Sequence, residues 1–132
     1  MRAPTAVVLL FALVACGADS TSPDMTSASG DYALRTVNNF PLPVTVLTQT
    51  NLKLEILSET LYVKPSGTFS DVTHYRRTTA EVVDTPADTL SGTWSVKGTV
   101  VTFIAGNSTF TGTIGGVSIL IEGDGLAFRY IK

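Results

Sequence analysis

The chain has 132 residues, 44% hydrophobic and 15% charged, with nine Lys and Arg against eleven Asp and Glu for a net charge of -2. So small a charge excludes the basic surface of a nucleic-acid binder, and so apolar a composition excludes a disordered chain; the length suits one domain. A single Cys and a single His exclude a disulfide framework and leave too few ligands for a zinc site, so neither a metal nor a cofactor is expected.

Met1 and Arg2 bring positive charge, and Ala6 to Ala15 is an uncharged apolar run, the pattern of a signal peptide. As a helix that run reaches only about 15 Å, roughly half the hydrocarbon thickness of a bilayer, so it cannot span one alone. Leu13-Val14-Ala15-Cys16-Gly17 follows. It resembles the lipobox of bacterial lipoproteins, a Leu and two short residues before a Cys that carries lipid once the chain is cut in front of it. The resemblance implies a lipoprotein signal peptide over residues 1–15, lipid on Cys16, and a lipid anchor in the cell envelope. Because Gly17 rather than Asp follows the Cys, it points to the outer membrane. The alternative is an ordinary signal peptide cut at its Ala-rich end, with Cys16 left as a stray thiol. Residues 17–30, GADSTSPDMTSASG, are small and polar without an apolar period. Residues 16–30 therefore read as lipidated Cys plus flexible tether, about 20 Å in span, and 31–132 as the folded domain.

In the second half of the chain turn dipeptides recur every nine residues: Lys97-Gly98, Gly106-Asn107, Gly115-Gly116 and Asp124-Gly125. Such pairs suit two-residue hairpins, whose central residues need positive φ. They delimit strands at Leu90 to Val96, Thr99 to Ala105, Ser108 to Ile114, Val117 to Gly123 and Leu126 to Lys132. The residues flanking a two-residue turn share a face, so the choice of Trp94 as inward fixes every later strand. Leu90, Gly92, Val96, Val101, Phe103, Phe110, Gly112, Ile114, Val117, Ile119, Ile121, Leu126, Phe128 and Tyr130 fall inside, while Ser and Thr dominate outside. Val100, Ile104, Leu120 and Ile131 are apolar exceptions on the outer face.

Upstream, Asp31 to Val37 alternates with Tyr32 and Leu34 inward, and Leu52, Leu54 and Ile56 do the same. The phase then slips, with Leu61 and Val63 inward, which predicts either a β-bulge around Ser58-Glu59 in one strand from Leu52 to Lys64 or a tight turn that adds a strand. Lys64-Pro65-Ser66-Gly67 has Pro and Gly where a type I turn with a Gly bulge needs them, and Thr68 to Thr78 forms the next strand. Eight strands in sequence order, with no helical period in the mature chain, predict an all-β, eight-stranded antiparallel up-and-down barrel; an open two-sheet sandwich is the alternative.

Several motifs resemble those of small lipocalin-like lipoproteins of bacterial envelopes. They are Gly30-Asp31-Tyr32-Ala33-Leu34 with Val37-Asn38, Pro41-Leu42-Pro43, Gly67-Thr68-Phe69, Gly92-Thr93-Trp94-Ser95-Val96 and Tyr130-Ile131-Lys132. Gly92-Thr93-Trp94 also looks like the lipocalin G-x-W signature, which stands on the first strand there and on the fourth here. The resemblance implies a calycin-type barrel and says little of activity.

Strand alternation places two long connections, Asn38 to Asn51 and Thr79 to Thr89, at one end, and both termini of the domain at the other. A ligand site at that mouth would use Phe40, Leu42, Tyr75, Phe103 and Phe110. Phe40 is either a lid or an exposed contact residue. Eight inward aromatic residues argue for a filled interior over a hollow one. Asp71 points inward near the closed end, and a buried carboxylate needs a partner; Thr99 or the hydroxyl of Tyr32 or Tyr130 would serve, and a ligand anchor is the other reading. His74 has no catalytic partners, and Glu81, Asp84 and Asp88 lack the spacing of a calcium loop, so no catalytic or metal residue is expected and the chain does not read as an enzyme. The expected function is a membrane-anchored, monomeric binding module for a small apolar ligand or an envelope protein; the alternative is a structural envelope lipoprotein without a specific ligand.

Overall fold

The computed structural model describes Asp24 to Lys132; the signal-peptide run, the lipobox and Cys16 lie outside the described residues. A short helix α1 (Met25–Ala28) precedes strands β1 (Gly30–Val37), β2 (Phe40–Pro41), β3 (Val44–Gln49), β4 (Leu52–Val63), β5 (Thr68–Thr79), β6 (Val83–Asp84), β7 (Ala87–Lys97), β8 (Val100–Ala105), β9 (Ser108–Gly115), β10 (Ser118–Gly123) and β11 (Leu126–Ile131). Eight of them, β1, β4, β5 and β7 to β11, form the up-and-down barrel, each antiparallel to its neighbours. Closure comes from β1, which pairs with β11 through Ala33 and Ile131 and with β4 through Gly30 and Val63. The sandwich alternative falls with that last pairing.

The slip in β4 is a bulge: its register with β5 shifts between Ile56 and Ser58, and the strand continues. One extra residue lets Ile56 above and Leu61 and Val63 below all face inward, at 3%, 1% and 3% exposure. It also splits the wall. Below the bulge β4 pairs with β1, and above it with β3. The predicted long loop Asn38 to Asn51 is therefore corrected to two strands. Asn38 and Asn39, both at positive φ, turn β1 into β2, and Val44 and Val46 pack on the core from β3. The bond Leu42–Pro43 between β2 and β3 is cis.

The nine-residue spacing survives with a correction at one end of the barrel. The turns at Gly106-Asn107 and Asp124-Gly125 stand as read, but Lys97 pairs with Val100 and Gly115 with Ser118. The other two turns are thus Gly98-Thr99 and Gly116-Val117, with the glycine first and at positive φ. Moving a turn by one residue changes the sum of paired residue numbers by two, so the faces are unchanged. Only Val117 suffers: expected inside, it sits in the turn at 59% exposure.

The end that holds α1 and Lys132 is closed. There Trp94 is 4% exposed and donates from Nε1 to the Lys64 carbonyl at 2.8 Å. Ordered structure begins before Asp31, because Asp24 and Ser27 cap α1 reciprocally and bring Ala28 into the core. Tyr32 donates its hydroxyl to the Ala28 carbonyl at 2.7 Å, and Lys132 reaches the Ser27 carbonyl at 3.0 Å. Gly92 permits tight coiling of the wall here: a Cβ at that position would lie 1.9 Å from the Ile104 carbonyl oxygen.

Candidate functional site: a cavity with a carboxyl floor

Aromatic residues divide along the barrel. Phe69 and Phe103 meet edge to face at 5.0 Å, and Phe103 stacks on Phe110 at 5.1 Å. Phe69 and Phe103 are buried in this plug, while Phe110 is its face toward an open cavity of about 710 Å³. The filled interior expected from the ring count is thereby corrected: the rings are enough to fill one end only. Tyr75, Phe128 and Tyr130 stand in the cavity wall, with Leu54, Ile56 and Leu126 among the apolar lining. Its mouth lies among β3, the start of β7 and the β10–β11 turn, at the end opposite α1. A volume of this size is typical of small-molecule sites.

Of the residues expected at a ligand site, Tyr75 and Phe110 line the cavity; Phe103 lies behind Phe110 at 0% exposure. Leu42 packs half-buried against the core outside the lining. Phe40 is 67% exposed on the β1–β2 hairpin, so it is an exposed residue and not a lid. Thr79 to Thr89 also carries structure: β6 folds back on β5, and Arg77 holds the Asp84 carboxylate there.

The polar floor centres on Glu59, which the sequence reading did not single out. Past the bulge, the parity that carries Leu61 and Val63 inward carries Glu59 with them. It is 7% exposed, with Tyr130 donating its hydroxyl to one oxygen and Thr73 donating to the other at 3.1 Å. Asp71 faces inward as expected, but at the cavity floor and not near the closed end, where Thr99 stands in the Gly98-Thr99 turn; the two tyrosine hydroxyls expected for it are engaged elsewhere. The Tyr130 hydroxyl goes to Glu59 and that of Tyr32 to the Ala28 carbonyl. Oδ1 of Asp71 is buried with no hydrogen-bond partner.

Burial, first, then the charge of Glu59 and a hydrogen bond to it push the Asp71 carboxyl up to about 8. Burial likewise raises Glu59, against the Tyr130 and Thr73 hydrogen bonds that favour its charged form. Two carboxyls in one low-dielectric site titrate as a pair, and near neutrality the pair holds a proton. On the same strand Glu55 shows the opposite environment. Facing outward, it takes two bonds from Arg76, at 2.7 and 2.9 Å, with Lys53 at 3.3 Å, and the Arg76 bonds lower its carboxyl to about 2. Asp88 and Asp124 continue the carboxylates toward the mouth, and among the described residues no Lys, Arg or His is in the lining.

Compared with known protein families, with curated proteins and with solved structures, the chain matches none.

Proposed function

We propose that this protein is a lipid-anchored binding module of the cell envelope that takes a small, largely apolar ligand into the open end of its barrel. The single observation that carries the reading is the cavity of about 710 Å³, walled by aliphatic and aromatic side chains and open at one end only of a barrel whose other end is plugged. Concave, mostly apolar sites with a few convergent polar groups are where small ligands bind. Anchoring follows from the lipobox-like Leu13-Val14-Ala15-Cys16, whose resemblance to bacterial lipoproteins favours the outer membrane. Since α1 and β1 leave the closed end, a tether there would turn the mouth away from the bilayer. The proposal is a monomeric binder, with no catalytic step assigned to it.

Titration of the full chain with the neutral apolar dye Nile red tests the binding. We expect saturable fluorescence enhancement that a cavity-filling Leu126→Trp substitution abolishes; no enhancement, or an equal one in the variant, overturns the reading. Cys16→Ala tests the anchor, and should move the protein from the membrane to the soluble fraction.

A further inference from the structure

We infer that the ligand is an apolar molecule ending in a protonated amine, its ammonium seated on Asp71 and Glu59 at the cavity floor and its hydrocarbon body running along Leu54, Ile56 and Leu126 to the mouth. This rests on the binding role proposed above and adds the chemistry of the head group.

Three independent features converge on a cation with several N–H donors. First, carboxylates reach the cavity from several strands, Glu59 from β4, Asp71 from β5 and Asp88 from β7, and among the described residues no basic side chain lines it to neutralise them. An anionic ligand would meet like charge throughout. Second, the buried Oδ1 of Asp71 lacks a donor. A buried acceptor left unpaired is unfavourable, and an incoming N–H removes that penalty. Third, Glu59 is held in place by Tyr130 and Thr73, so the second carboxyl is oriented before a ligand arrives. An ammonium carries three donors, against one for an alcohol, and its hydrogen bonds to carboxylates are charge-assisted.

The proton balance is explicit. Without ligand, Asp71 is protonated near neutral pH and hydrogen bonds to Glu59. The groups around this pair are Thr73 and Tyr75 on its own strand, Asp88 on β7 and Tyr130 on β11, none of them basic. When the ammonium arrives, the Asp71 O–H bond breaks, the carboxylate keeps the electron pair, and the proton leaves to solvent. Amine uptake near neutrality therefore releases a proton.

Isothermal calorimetry on the full chain at neutral pH, with octylamine, octanol and octanoate as matched probes, tests the inference. Octylamine should bind about tenfold tighter than octanol, from one charge-assisted hydrogen bond in place of a neutral one, and octanoate should be weakest. Repeating the octylamine titration in buffers of different ionisation enthalpy should reveal the released proton. Asp71→Asn, nearly isosteric, should lose the amine preference while still taking octanol; should that variant not fold, the ranking of the three probes on the unaltered chain decides alone. Octanol binding as tightly as octylamine overturns the head-group assignment and leaves the binding module standing. Failure of all three probes overturns the binding module itself.

Discussion

The two ends of the barrel are built from the same strands and obey opposite rules. At the closed end large apolar groups fill the interior around Gly92 and Ala28, and polar atoms are paired, as with the Trp94 indole on Lys64 and the Tyr32 hydroxyl on Ala28. At the open end Glu59, Asp71 and Asp88 face a cavity, and one oxygen of Asp71 has no partner among the described residues. The difference shows where folding free energy is gained and where some of it is forgone. Dense packing around Tyr32, Trp94 and Phe103 holds the barrel together, and a fold so secured at one end tolerates a hollow and an unsatisfied acid at the other.

The contrast is broken most severely by emptying the closed end. Trp94→Ala should destabilise the domain by about 3–5 kcal/mol in chemical denaturation, the range for large core truncations; a loss under 1 kcal/mol would mean the plug is not what holds the fold. Gly92→Ala is the next largest. Its methyl would strike the Ile104 carbonyl oxygen, so the β7–β8 pair must shift, at about 1–3 kcal/mol. At the open end the sign reverses. Asp71 holds its proton up to about 8 when folded, against an ordinary value of 3.8. Between those values the native state binds more protons than the unfolded chain, so stability falls as pH rises through that window. The thermal midpoint should drop by a few degrees from pH 5 to pH 8, and Asp71→Asn should both raise it at pH 8 and flatten the slope. Glu55 acts the other way, and only as pH falls through about 4.5 toward 2, outside that range. Smallest of all, Phe40→Ser should change stability by no more than about 0.5 kcal/mol, since Phe40 is exposed and outside both regions; a loss above 1 kcal/mol would restore it to the role of a lid.

How much of this the sequence disclosed follows from how each feature is encoded. The strand count and the inside face were legible because two separate signals, turn residues every nine positions and apolar alternation, had to agree, and an error of one residue at Gly98 or Gly116 preserved parity. Strand β3 was missed although Val44 and Val46 alternate with Thr45, because the prolines before it and its short length resemble a loop. The hairpin at Asn38-Asn39 was missed because its signal is two asparagines at positive φ where glycine is the usual sign. The cavity was misjudged for a different reason. Counting inward rings gives their number but not their height along the barrel, and Phe69 and Phe103 pack edge to face at one level instead of spreading out. The inward face of Asp71 was legible from its phase alone, but its height along the barrel was not, and it stands at the cavity floor instead of near the closed end. Glu59 had the same signal, carried by Leu61 and Val63, but an acid on an inward phase is easily passed over when apolar residues are being counted.

The bulge after Ile56 absorbs an odd spacing in the sequence of β4. If these same residues ran straight on in strict alternation, the Leu52, Leu54 and Ile56 phase would bring Ser58, Thr60 and Tyr62 inward and turn Glu59 out with Leu61 and Val63. Loss of one residue at Leu57 would remove the bulge, not the floor: Ile56 and Glu59 would then stand two apart, and plain alternation would keep Glu59, Leu61 and Val63 inward. A gain of one residue there restores an even spacing as well, so the acidic floor outlasts either change and what is given up is the bend of β4 from β1 to β3.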